Sequence, residues 1–443
     1  MQTNPIQQRI EHFEEDWNSS YIVLDKKLFV IRSTEADWEM TEAFFDYMLG
    51  IDNDIGDIAI QFHSPFNTVA TYSKELIEEL QHTIYLWNNS EKQEGIEDFT
   101  IDWQPVTVTG DDKQDSKYFV ENMNRFCTSL ELEEDQKLVL ILFFNSTQDE
   151  AINKWLYGIL PLNFHPKLCI LLADTYEHPR FEVQLTTFPG KSKLIQANFD
   201  LPKAMEQIAA MGDPGAPETR YRFHFMKMAN AVAKRENKVV QEQARICLQI
   251  AEVQALINAY WYPQIMAVYF TLSNHEIGNK DFKKALTHAE KSLEAIVSAT
   301  GKLTDEIVFR HIGQAYMLIG SLRQQQKDYY AATREFQEAD KYYERCEDYI
   351  LQIEALRMVA YCAKKNSDPE SRKTALIKGF LLGEKINQAM AEASSYALLV
   401  KDFFKIDYEK QVSWEQIDAI LIPHFGTNWN EVIEKAGTTA ALQ

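Results

Sequence analysis

Histidines are the first residues to weigh, because an imidazole is the side chain best suited to moving protons near neutral pH. Of the 10 in the chain, His63, His165 and His178 lie just beyond short apolar runs read as strands. At the edge of an open α/β sheet such positions could supply a general base for hydrolysis, although loop histidines beside prolines more commonly serve turns. His275-Glu276 opens the pattern of a zinc-binding helix, but Asn279 stands where the second histidine is required. Gly190-Lys191-Ser192 looks like the end of a phosphate-cradling loop, yet Leu185 replaces the upstream glycine and Pro189 removes a backbone donor. Cys127, Cys169, Cys247, Cys346 and Cys362 are scattered without paired spacing, which reads as buried thiols in a reducing compartment. No GxSxG elbow and no kinase motif set occurs. The expectation is a protein without catalytic residues, cofactor or metal, with a hydrolase built on the three histidines as a minor alternative.

The elements that would carry such residues divide the 443-residue chain in two. From Lys26 the sequence alternates short β-rich runs with amphipathic helices, the mark of a mostly parallel α/β sheet domain. Strands are expected at Leu28–Ile31, Asp57–Phe62, Lys137–Phe144, Lys167–Asp174 and Lys193–Asn198. The runs KLVLILFF and KLCILLAD are apolar on both faces and belong inside the sheet. The turn-rich stretch Gly212-Asp213-Pro214-Gly215-Ala216-Pro217-Glu218-Thr219 is the expected linker, giving an α/β domain over 1–211 and an all-α region from 220.

This order of elements resembles the core of signal-transduction P-loop NTPases that carry helical repeats. The resemblance implies that Leu28–Ile31 enters the P-loop, Leu138–Phe144 is the Walker B strand and Leu168–Ala173 bears the sensor. The chemistry is missing, however. After Ile31 the chain reads Arg32-Ser33-Thr34-Glu35-Ala36-Asp37, with no glycine before Gly50 and with carboxylates that would repel a phosphate. Asn145 stands where the acidic Walker B residue belongs. The expectation is an NTPase-like architecture without a nucleotide site; the alternative is an atypical nucleotide-regulated switch whose helical array signals to partners.

In the second half, Tyr269, Leu272 and Ser273 give large, large and small residues on one helix. Asp281-Phe282 makes a turn, and Ala285 and Ser292 supply small residues on the next helix. The pattern recurs as Tyr316, Ile319 and Gly320, then Asp328-Tyr329, then Ala332, Phe336 and Ala339. Both units resemble tetratricopeptide repeats, although Ala285 to Ala332 exceeds the usual ~34 residues, with the excess placed in Ser298–Glu306. Flanking hairpins are expected over Tyr221–Val253 and Val359–Ile386, with small residues at Ala375, Gly379 and Gly383. Ser413-Trp414-Glu415-Gln416 reads as a capping box, so that helical repeats over 220–412 are followed by capping helices and a tail over 413–443.

The resemblance implies a concave face lined by the first helices of the hairpins. Phe270, Asn274, Ile277, Met317, Ser321 and Gln324 are its expected partner-binding residues. Phe270 stands where a groove lysine would grip a peptide carboxylate, so the expected ligand is an apolar or mixed protein segment. A net charge of −21 with no basic stripe argues against nucleic acid, and no run of ~18 uncharged apolar residues suggests membrane insertion. The sequence therefore reads as a cytoplasmic, bacterial adaptor or assembly scaffold with protein partners.

Overall fold

The computed structural model describes residues 4–21, 26–50, 53, 55–90, 100–106, 112–134, 136–144 and 148–437. Asn145 lies outside them, as do residues 438–443. The chain divides into two compact units, Met1–Ile208 and Ala209–Gln443. Among the described residues no helix is long and apolar enough to cross a membrane.

Among its described residues the first unit contains five parallel strands: β1 (Leu28–Ser33), β2 (Ile58–Phe62), β3 (Leu138–Leu142), β4 (Leu168–Thr175) and β5 (Ser192–Gln196). Their order is β2-β3-β4-β1-β5. β1 and β3 are buried along their whole length, and β4 nearly so, because helices cover both faces. Leu28, Val30, Leu140 and Ile170 point into one core with α3 (Tyr72–Asn89), α4 (Asp112–Ser129) and α5 (Asp149–Ile159). Phe29, Ile31, Val139 and Leu171 point into the other, against α1 (Pro5–Tyr21) and α2 (Trp38–Leu49). Helix α1 was not anticipated in the polar N-terminus. It buries Phe13 and Trp17 there, with Ile6 and Ile10 packed alongside. The short α6 (Glu182–Thr187) precedes β5, and α7 (Leu201–Ala209) follows it.

The second unit is a solenoid of helical hairpins. These are α8 (Pro217–Ala233) with α9 (Asn237–Ala255), α10 (Tyr262–Gly278) with α11 (Phe282–Val297), α12 (Asp305–Gln325) with α13 (Tyr329–Arg345), and α14 (Tyr349–Lys365) with α15 (Pro369–Leu381). The last pair begins ten residues before the hairpin expected from Val359, because the turn at Asp348 has the same form as its neighbours. Lys280, Lys327, Glu347 and Ser367 all take left-handed φ between 55° and 63°. Each is followed by an aspartate, Asp281, Asp328, Asp348 or Asp368, whose carboxylate accepts an N–H of the new helix at 3.0–3.2 Å. The aspartate's own N–H reaches back to a carbonyl of the old helix, as from Asp281 to Glu276 and from Asp328 to Arg323. Chain reversal at these four turns is therefore set by one repeated two-residue device. The longer spacing between the central units divides between the turns over 298–304, where Gly301 has φ +73°, and a 21-residue α12.

Beyond α15, α16 (Gln388–Glu392), α17 (Tyr396–Phe403), α18 (Trp414–Phe425) and α19 (Trp429–Lys435) pack on the last hairpin. Phe380 stacks on Phe403 with ring centroids 4.2 Å apart, and Tyr396 Oη donates to the Phe380 carbonyl at 2.7 Å. Ser413 Oγ accepts the Gln416 N–H at the start of α18.

Candidate functional site

In an open parallel sheet a ligand crevice lies beyond the carboxyl ends of the strands, where neighbouring strands send their connections in opposite directions. Here that point falls between β1 and β4, since β1 leads across the sheet to β2 and β4 leads the other way to β5. The crevice is occupied by the chain itself. Arg32, at the end of β1, places Nη2 2.7 Å from Asp174 Oδ2 at the end of β4, and Nη1 bonds Glu182. Burial acts to lower the Arg32 pKa, but the hydrogen bonds from Glu182 and Asp174 prevail and raise it. Asp174 also accepts the N–H groups of Thr175 and Arg180 at 2.9 and 3.0 Å.

The β1–α2 connection is Thr34 and a single 3-10 turn, Glu35–Asp37. It has no length to wrap an anion, and its last carboxylate is engaged: Asp37 accepts the N–H of Leu201 at 2.7 Å and of Asp200 at 3.2 Å, capping α7. Thr41 Oγ1 donates to Ser33 Oγ at 3.0 Å.

The three weighed histidines do not converge. His63 follows β2 and His178 follows β4; both are exposed, and His178 Nε2 lies 3.3 Å from Glu35. His165 is on the opposite edge, before β4, which corrects its placement beyond a strand's carboxyl end. There its Nδ1 accepts from the Lys167 N–H and lies 3.2 Å from Cys127 Sγ. Burial drives the Cys127 thiol up to about 11, so it is no nucleophile near neutral pH. His275, weighed for zinc, is buried in α10 and pairs with Asn279 at 3.1 Å. Lys191 of the glycine-lysine-serine stretch donates to the carbonyls of Leu160 and Leu162, both at 2.8 Å, just past the end of α5.

In the second unit, α10 and α12 form the walls of a trough of about 610 Å³. Phe270, Met317 and Ser321 line it together with Met266, Gln314 and Tyr343. No Lys, Arg, Asp or Glu is among its lining residues. Its polar groups are largely satisfied within their own helices: Thr271 Oγ1 donates to the Ala267 carbonyl at 2.9 Å, and His311 Nδ1 lies 2.9 Å from Gln314 Oε1. What remains for a ligand is chiefly apolar surface, with methionines that adapt to its shape.

The other three expected groove residues fall outside this trough. Asn274 is exposed further along α10, Gln324 is half-buried near the end of α12, and Ile277 packs on the cluster formed by Ala285, Ala289, Leu318, Ile319 and Leu322. Met266 and Gln314 were missed, although each lies one turn before an expected residue on the same helix face. Tyr343 enters from the second helix of its hairpin because Gly313 leaves it room: a Cβ there would stand 2.6 Å from the Tyr343 ring.

No protein-family model matches the chain, and no curated protein matches it. Solved structures similar to part of it include the apo form of RapI, at 15% identity and TM-score 0.35, covering 54% of this chain and 76% of that one. BtubC (BKLC) from P. vanneervenii is similar at 12% identity and TM-score 0.37, covering 54% and 90%. A putative kinesin light chain from Podosopora anserina with nearly identical TPR-like repeats is similar at 12% identity and TM-score 0.32, covering 50% and 97%.

Proposed function

We propose that this protein is a non-enzymatic adaptor or assembly scaffold that holds an apolar or mixed segment of a partner protein in the α10–α12 trough. The observation that carries the reading is the convergence of Phe270, Met317 and Ser321 on one uncharged concavity in a chain of net charge −21. An apolar trough free of acidic side chains spares the ligand the desolvation of unpaired charge. Replacing Phe270 and Met317 together by glutamate would bury carboxylates against any apolar ligand. Affinity capture from the native cell followed by mass spectrometry should then lose proteins that wild type retains, with circular dichroism checking that the variant is folded, because both side chains also pack on the core. An unchanged set of captured proteins would contradict the proposal.

For the first unit we propose an NTPase-like architecture whose nucleotide position has been filled by protein. The strands assigned to Walker B, sensor and P-loop roles, β3, β4 and β1, are consecutive neighbours, which supports the architecture. The Arg32–Asp174–Glu182 cluster and the short β1–α2 connection support the loss of the site. A nucleotide-regulated switch would instead show ATP with magnesium raising the melting temperature by several degrees, since a ligand at 100 times its Kd contributes about 2.7 kcal/mol.

A further inference from the structure

The first hairpin of the solenoid has a second apolar face besides the one it buries. Val240, Ala244, Cys247 and Ala251 of α9 are buried in the hairpin core. A quarter-turn away, Val239, Gln243, Ile246, Ile250, Val253 and Ile257 recur at alternating steps of four and three, a heptad seam carried into the turn after the helix. Val239 is 36% exposed, Val253 58% and Ile257 81%. A solenoid end is expected to turn a polar face to water, so a seam of this kind marks a docking surface.

The neighbouring helix gives that seam a charge. Residues 217–238 hold six basic residues against two acidic ones, in a chain of net charge −21. Arg220 and Lys227 lie seven apart on one face of α8, with His224 between them. His224 Nδ1 is 2.8 Å from Gln243 Oε1, which sets this α8 face beside the seam. Arg220 lines one groove of about 260 Å³ with Pro217, Ile246, Ile250 and Val253, and makes no ion pair among the described residues. Gln249 lines the same groove, and its Oε1 accepts from Arg245 Nη1 at 3.1 Å.

We propose that this outer face of α8 and α9 docks an amphipathic helix of a partner protein, its apolar stripe on the seam and its carboxylates toward Arg220 and Lys227. The heptad spacing suits another helix, whose knobs at three- and four-residue steps fit between those of α9. The basic flank selects an acidic one. The surface is separate from the α10–α12 trough and does not depend on it.

Two synthetic peptides of about three heptads test this, each with leucine at the a and d positions, one with glutamate and one with lysine elsewhere. Titrated with the full-length protein at low salt, the glutamate peptide should bind at least ~10-fold tighter, with the advantage shrinking as salt rises. The double variant Arg220→Glu, Lys227→Glu should reverse the preference. Val253→Asp with Ile257→Asp should abolish binding without lowering the melting temperature, since both side chains are exposed. The trough variant with glutamate at 270 and 317 should bind the peptide as wild type does. Equal affinity for both peptides, no binding, or loss of binding in the trough variant would overturn the proposal. So would a dimer in sedimentation that Val253→Asp dissolves, because the occupant would then be a second copy of this chain.

Discussion

Gly320 of α12 faces the ring of Phe336 on α13 so closely that a Cβ at that glycine would stand 2.7 Å from Phe336 Cε1. Phe336 is wholly buried, so the ring has nowhere to withdraw. Small and large residues here are two halves of one contact. Gly320→Ala gains helix propensity of about 1 kcal/mol but forces an overpacked core costing about 1–3 kcal/mol, so the urea midpoint should fall. Gly278, at the end of α10, meets nothing within 4 Å of a built Cβ. Gly278→Ala should therefore move the midpoint the other way, with a stability gain of up to about 1 kcal/mol. Equal shifts in the two variants would contradict this account of the packing.

Arg32 and Asp174 form an ion pair with almost no exposure, their side chains being 7% and 0% accessible. Arg32→Met leaves the Asp174 carboxylate buried with two backbone donors and no counter-charge, a change that costs about 3–5 kcal/mol. Glu182→Gln, at a half-exposed side chain, should cost well under that. Urea denaturation of the two variants would rank them, and equal losses would show that Asp174 is not the buried partner that matters.

His165 should make stability depend on pH. Burial first, then Lys27 and Lys167, lower its pKa below the ordinary 6.5, and its neutral Nδ1 accepts from Lys167 N–H beside the Cys127 thiol. A depressed histidine pKa means that the unfolded chain takes up the proton first as pH falls. The stabilising contribution is therefore fully present above pH 6.5 and is lost as pH drops through the lower folded value. His165→Asn keeps an acceptor and removes the titration. The stability difference between wild type and this variant should fall between pH 7.5 and 5.5, roughly as the linkage relation describes. A difference independent of pH would contradict the assignment.

Much of the fold was legible because burial writes itself into composition. Strands β3 and β4 stood out as unbroken apolar runs, since helices cover both sheet faces. The hairpin turns stood out where an aspartate cap met a large residue, at Asp281 and Asp328; Asp348 uses the same device and was passed over. Helix α1 was missed although Ile6, Ile10, Phe13 and Trp17 recur at helical steps, because glutamates and glutamines between them dominate the local composition. Half of the expected groove residues reached the trough. Which residues meet across hairpins depends on how the hairpins stack, and the entry of Tyr343 beside Gly313 is a relation between helices that no single-helix periodicity contains.

The trough is tested most directly by placing a photo-crosslinking residue at positions 270 and 317 in the native cell, with position 330 on α13 as a control. Tyr330 is 70% exposed and is not among the trough's lining residues. The account predicts that one partner protein is crosslinked from both 270 and 317 and not from 330. The same product from all three positions, or none from 270 and 317, would contradict it.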